Sequence, residues 1–219
     1  MDFNRPMTEI NMREQQADST FTLCGGDRVH PTTDGHLVMA YLFLKAQGLA
    51  NEPVADIAID ALTRTVNRSD NCKIDDLVVS SENISFTYLA NSLPYPIDRS
   101  HYNNELHTQA DALNVIPFMD EMNYEGLAVK GLSDGYYVLK IDGKTITRLT
   151  AGDLKRGINL AAYDNTPQNE QAQEIRRLNE QRWFMEREMR EYYWMEYNLM
   201  RDKGLLWASD EKAVDTMLE

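Results

Sequence analysis

The chain has 219 residues, 42% of them hydrophobic and 26% charged, the balance of a globular protein with one large domain or two small ones. Its net charge of -13 at pH 7 lacks the basic face that nucleic-acid phosphates require, and it disfavours docking on anionic membranes. Sugars, neutral esters and other proteins stay open as partners.

In chain order, residues 1–52 read as a short strand, a loop, a helix and a stop. Thr32, Thr33 or Asp34 supplies the helix cap, and Gly48 supplies the stop. The run LVMAYLFL (37–44) is apolar on every side, so this helix needs neighbours on several faces. Residues 53–165 read as antiparallel β-structure with a sandwich-like arrangement. ADIAIDA (55–61), TRTV (63–66), KIDDLVVS (73–80) and NISFTYLA (83–90) are strand candidates. LAVKGL (127–132), YYVLKID (136–142) and TITRL (145–149), separated by SDG and GK turns, read as a hairpin series. SLPYPID (92–98) is a proline-stiffened loop or edge, and residues 98–114 carry at most a short helix. Residues 166–219 hold one long helix and a tail, with Thr166 as cap, Pro167 at the first helical position and Gly204 as stop. Its apolar residues, Ile175 to Leu199, suit packing against the other two zones better than a coiled-coil dimer, because the heptads are broken.

Two cysteines, Cys24 and Cys72, are too few for a disulfide framework and fix no compartment. The opening residues contain no basic segment followed by an apolar run, so no signal peptide is expected, and no membrane insertion.

The chemistry concentrates in CGGDRVHPTTDGH (24–36). A hydroxyl nucleophile needs a base to take its proton, and an imidazole base needs a carboxylate to fix its tautomer. Asp27 stands three residues before His30, close enough to serve it within one turn of loop. Pro31 biases His30 towards extended backbone, outside the coming helix. Two other readings compete. Asp27, His30, Asp34 and His36 form a metal cluster only if ligands from loop and helix converge, and their spacing fits no familiar zinc pattern. Alternatively the stretch is simply a polar loop leading into a capped helix. Elsewhere, His101 and His107 flank Glu105, which again gives too few ligands for a metal. Tyr88, Tyr95, Tyr136 and Tyr137 are candidate sugar platforms, with packing as the commoner fate. No metal or other cofactor is expected.

DRVHPTTDGHLVMA resembles the last conserved block of the SGNH (GDSL) hydrolases, in which D-x-x-H-P carries the triad Asp and His before the final helix. The resemblance implies that Asp27 and His30 are catalytic and that DFNRPMTEIN is the last core strand with its exit. SLPYPI, GLAVKGLSDGYYVLKIDGK and LKRGINLAAYDNTPQNEQA resemble the C-terminal extension of a bacterial subgroup of the same family. The implied fold is α+β: the C-terminal piece of a flavodoxin-like α/β hydrolase domain (1–52), a β-rich accessory region (53–165), then the helix (166–219).

Such hydrolases also need a G-D-S nucleophile block and a G-x-N-D block. Neither is present, and AGDLKRG (151–157) has Leu154 in the Ser position and reads as a turn. Ser80, Ser81, Ser85 and Ser92 lack an elbow signature. The expectation is the C-terminal part of a serine esterase acting on acyl or acetyl esters, plausibly on carbohydrates, and inactive by itself. The alternatives are a non-enzymatic β-rich binding or scaffolding module, and one half of a split esterase whose upstream half is a separate chain. With the parallel sheet missing, residues 37–44 are expected to leave a helix face bare and poorly ordered, at about 25 cal/mol per Å² of apolar surface.

Overall fold

The structure, a computed structural model, describes residues 1–80, 83–102 and 106–203. It is α+β, with mixed sheets and a long C-terminal helix. The chain divides into two units, Met1–Ala172 and Gln173–Glu219.

The first unit opens with helix α1 (Asn4–Glu14), where a strand was expected. Asp2 Oδ1 accepts from the Asn4 N–H at 2.9 Å, and Pro6 falls in the first turn, where a missing N–H costs nothing. Helix α1 turns Ile10 inward, while Asn11 Oδ1 accepts from the Leu23 N–H and the Arg13 guanidinium donates to the Val115 carbonyl. Helix α2 (Thr33–Ala46) begins after extended Thr32, whose hydroxyl makes no capping bond to the backbone. Its stop is the expected one. Gly48 has φ +79°, the Gly48 N–H bonds the Lys45 carbonyl at 3.0 Å, and the Leu49 N–H reaches back to Leu44 at 3.2 Å. This is a Schellman closure.

The neighbours α2 needs come from its own chain. Leu37, Val38 and Tyr41 share an apolar core with Ile10 and Leu23, and with Ile97, Ala112, Val115, Ile116 and Phe118 from further along. Tyr41 Oη donates to Glu121 at 2.7 Å, and Lys45 pairs with the same carboxylate at 2.6 Å. The helix face carrying Leu37, Val38 and Tyr41 is therefore packed, contrary to expectation; Phe43, on another face, stays exposed. The polar stretch over 98–114 ends in a 3-10 helix at Gln109–Asn114, and α3 (Phe118–Glu121) follows it.

The β-region contains β1 (Ala55–Asp60), β2 (Thr65–Asp70), β3 (Cys72–Val79), β4 (Ile84–Ala90), β5 (Glu125–Lys130), β6 (Tyr136–Ile141), β7 (Lys144–Thr150) and β8 (Ile158–Asn159). One sheet runs β2-β1-β5-β8, and β3-β4 and β6-β7 are separate two-stranded hairpins. The β1–β5 pair is parallel, Ala55 against Glu125 through Asp60 against Lys130. So 127–132 does not join the hairpin series; only β6 and β7 pair there. Their turn, Asp142-Gly143, has both φ values positive, which is the geometry a two-residue hairpin favours. TRTV is half turn and half strand, since β2 starts at Thr65. Strand β2 is exposed along its length and polar, as an edge must be to avoid pairing with other chains. Alternating Ile57 and Ile59 of β1 meet Leu127, Val129, Leu149, Leu154 and Leu160 in a second core.

AGDLKR, read from the sequence as a turn, is helix α4 (Ala151–Arg156). Asp153 explains it. Its carboxylate accepts from the Thr150 N–H at 2.9 Å, and Thr150 Oγ1 accepts from the Asp153 N–H at 3.1 Å, which is a capping box.

Helix α5 (Pro167–Glu191) starts as the sequence indicates, with Thr166 Oγ1 accepting from the Asn169 N–H at 3.3 Å. A π-helical turn (Tyr192–Tyr197) and α6 (Asn198–Asp202) continue it, and the predicted Gly204 stop lies outside the described residues. Ile175, Leu178, Trp183, Phe184, Met185 and Met189 are exposed on the helix. Among the described residues no helix is long and apolar enough to cross a membrane.

Candidate active site

The segment from Leu23 to Thr32 closes on itself. Cys24 and Pro31 form an isolated antiparallel bridge, the Gly25 N–H bonds the His30 carbonyl at 2.8 Å, and the Thr32 N–H bonds the Leu23 carbonyl at 3.1 Å. Arg28 sits at φ +61° to complete the turn. The loop is then clamped to the start of α2. A Cβ on Gly35 would lie 2.1 Å from the Leu23 carbonyl oxygen, so only glycine allows this approach.

Within the loop, Asp27 Oδ1 accepts from the Val29 and His30 N–H groups at 2.9 and 3.1 Å. Its other oxygen, Oδ2, lies 2.5 Å from His30 Nδ1. The backbone thus fixes the carboxylate, and the carboxylate fixes the ring. With Nδ1 taken, Nε2 is the nitrogen left for a reacting hydroxyl. The His30 bond, joined by the two backbone bonds, holds the Asp27 carboxyl well below the usual carboxylate range. Both side chains are open to solvent, His30 84% exposed and Asp27 51%. A pair so exposed is not desolvated for catalysis by residues of its own loop.

The other candidates go elsewhere. Asp34 is buried, accepts from Thr32 Oγ1 and the Gly35 N–H, and lies 3.6 Å from His107 Nδ1. His36 is exposed on α2. Asp27, His30, Asp34 and His36 therefore do not converge, and among the described residues no group of three or more His, Cys, Asp or Glu could hold a metal. His107 packs edge-on against Phe21. Glu105 and Ser81 lie outside the described residues.

Ser92 donates to the Val54 carbonyl and accepts from Asn71, and Ser80 bonds Asn83 across the β3–β4 turn. Cys24 and Cys72 are free thiols. Of the aromatic platforms, Tyr137 Oη donates to the Ser133 carbonyl, Tyr95 Oη accepts from Gln109, and Tyr136 lies under the Arg148 guanidinium.

Sequence reasoning missed Glu125. It is fully buried at the start of β5, and Tyr88 Oη and Gln168 Nε2 donate to its Oε1 at 2.8 and 3.1 Å. Burial pushes its carboxyl up and the Tyr88 phenol further up. The available signal was an acidic residue directly ahead of the apolar run GLAV in EGLAVK.

Residues 173–219 match the family described as diltiazem deacetylase C-terminal helical domain. No curated protein matches the chain. Among solved structures it is similar to a gut microbial diltiazem-metabolizing enzyme, at 48% identity and a TM-score of 0.87. That similarity covers 99% of this chain and 49% of the other, so the chain spans about half the length of the enzyme it resembles.

Proposed function

We propose that this chain is the C-terminal part of an SGNH-type serine ester hydrolase that removes acetyl or other acyl groups from hydroxyl-bearing substrates. The observation that carries the reading is the Asp27–His30 pair, whose 2.5 Å contact engages Nδ1 and leaves Nε2 as the nitrogen for a reacting hydroxyl. The deacetylase domain match over 173–219 and the similarity to one half of a diltiazem-metabolizing enzyme support an ester as the substrate bond.

In this reading a serine from sequence outside the chain attacks the ester carbonyl while His30 Nε2 takes its proton. The tetrahedral oxyanion is stabilised by donors from the same outside segment. The C–O bond to the alcohol breaks, and His30 returns the proton to the leaving oxygen. Water, deprotonated by His30, then releases the acid and restores the serine. Asp27 stays ionised throughout, holding the tautomer and stabilising the imidazolium. Its depressed titration suits that task.

The test begins with translating the DNA ahead of Met1 for a G-D-S block and a G-x-N-D block, and expressing that segment joined to this chain. Hydrolysis of p-nitrophenyl acetate should appear only in the joined protein. His30→Ala should cut kcat by about 10³-fold or more with KM little changed. Turnover by the chain alone that depends on His30, or a joined protein indifferent to His30, would overturn the reading.

A further inference from the structure

The β3–β4 and β6–β7 hairpins pack on the same second core, Phe86 and Tyr88 from one, Tyr137 and Leu139 from the other. Each hairpin has two strands, so β4 and β6 each keep an edge with no strand beside it. Between the hairpins lies a cleft of about 760 Å³, with Ile57, Leu127 and Leu160 of that core as its floor.

The walls of this cleft are strand edges rather than strand faces. Successive side chains of a strand point to opposite faces, so a cleft lying against one face meets every second residue. Here every residue from 83 to 93 lines the cleft, and so does every residue from 138 to 142. Unbroken lining of this kind brings the main chains of β4 and β6 to the cleft, with their unpaired N–H and C=O groups. The β4 edge is also unguarded. Strand β2 is polar along its length, whereas residues 83–93 carry no charged side chain and expose Leu89. Strand β6 adds one lysine, Lys140, beside exposed Val138. An edge without charge or proline is a template for a further strand. A strand in a layered sheet fills about 160 Å³ per residue, from a rise of about 3.4 Å, a neighbour spacing of about 4.8 Å and a layer spacing of about 10 Å, so the cleft holds one strand of about five residues.

We propose that this cleft takes a single extended peptide segment, hydrogen-bonded to β4 on one side and to β6 on the other. Its inward side chains are apolar and rest on Ile57, Leu127 and Leu160. Its outward side chains are small and polar, in line with exposed Ser85 and Thr87 of β4. The uncharged β4 wall and the net charge of -13 disfavour an acidic segment. A second copy of the chain is too wide, because among the described residues its strands come only in pairs and in a sheet of four. The peptide site uses neither Asp27 nor His30, so it is separate from the hydrolase reading and its test reads binding alone.

The full chain is titrated with an acetylated, amidated heptapeptide alternating threonine and valine, and followed by amide NMR and hydrogen exchange. Saturable shifts at residues 83–93 and 138–142 are expected, with slower exchange at the edge amides of β4 and β6. A strand paired on both sides uses all its N–H groups. N-methylation of either alternate set of peptide amides should therefore weaken binding about tenfold or more. Leu89→Lys and Val138→Lys, one on each wall at exposed positions, should weaken it as well without lowering Tm. Absence of saturable binding, shifts confined to other residues, or tolerance of one N-methylated set would overturn the proposal. So would affinity unchanged in both lysine variants. Protection of the β4 edge that grows with protein concentration in the absence of peptide would replace the peptide with a second copy.

Discussion

At Gly35 a single hydrogen in place of a methyl lets the Leu23 carbonyl approach α2, and the loop holding Asp27 and His30 hangs on that approach. Gly35→Ala should cost about 2 kcal/mol or more, because the obstacle is backbone rather than a movable side chain. Thermal unfolding would show a Tm lower by about 5 °C or more. Asp27 makes a second prediction. A carboxyl held below its ordinary range adds stability above that range, and the contribution fades as pH falls towards the folded-state value. A carboxyl-carbon NMR titration should find Asp27 still ionised at about pH 3, with its midpoint returning upward in His30→Ala. The Asp27–His30 contact was legible because it is local and Pro31 marks the loop. Glu125 was not, because its partners Tyr88 and Gln168 come from distant parts of the chain.

Asn159 shows how one side chain joins elements. Its Oδ1 accepts from the Glu125 and Ala161 N–H groups, and its Nδ2 donates to the Met119 and Asn123 carbonyls. Removing it strands buried backbone groups around β5, β8 and α3. Asn159→Ala should cost about 2–4 kcal/mol, read as a lower denaturant midpoint with unchanged slope. The elements themselves were unevenly legible. Strands β1, β3, β4, β6 and β7 follow their alternation, the C-terminal end of α2 follows its glycine signal, and the start of α5 follows its proline signal. Helix α1 was missed because residues 1–52 were read as opening with a short strand, although Met7 and Ile10 stand at i, i+3 spacing on the helix. Helix α4 was missed because G-D drew attention to a nucleophile block rather than to a Thr-x-x-Asp cap. Nothing in a strand's own alternation says whether its neighbour runs parallel, so the β1–β5 pairing was out of reach.

Across the whole chain, the first core draws its residues from both ends of a long interval, Ile10 to Phe118. Deleting residues 1–50 should therefore uncover Ile97, Val115, Ile116 and Phe118 rather than trim an appendage. At about 1.5–3 kcal/mol per fully buried apolar side chain, that loss exceeds a domain's usual margin. The shortened chain should bind a hydrophobic dye such as ANS strongly and lose its cooperative melting transition.

The parallel pairing of β1 with β5 also sets a tempo. Ala55 meets Glu125 only after the chain between them has been gathered, and no local turn helps to set that register. Closing so long a loop is paid in entropy before any contact returns it. The β3–β4 and β6–β7 hairpins are local and should form early, with the central sheet waiting on the distant encounter. Refolding of this protein should then be slow beside that of a helical bundle of its size, and a hydrogen-exchange pulse should protect the hairpin amides before those of β1 and β5.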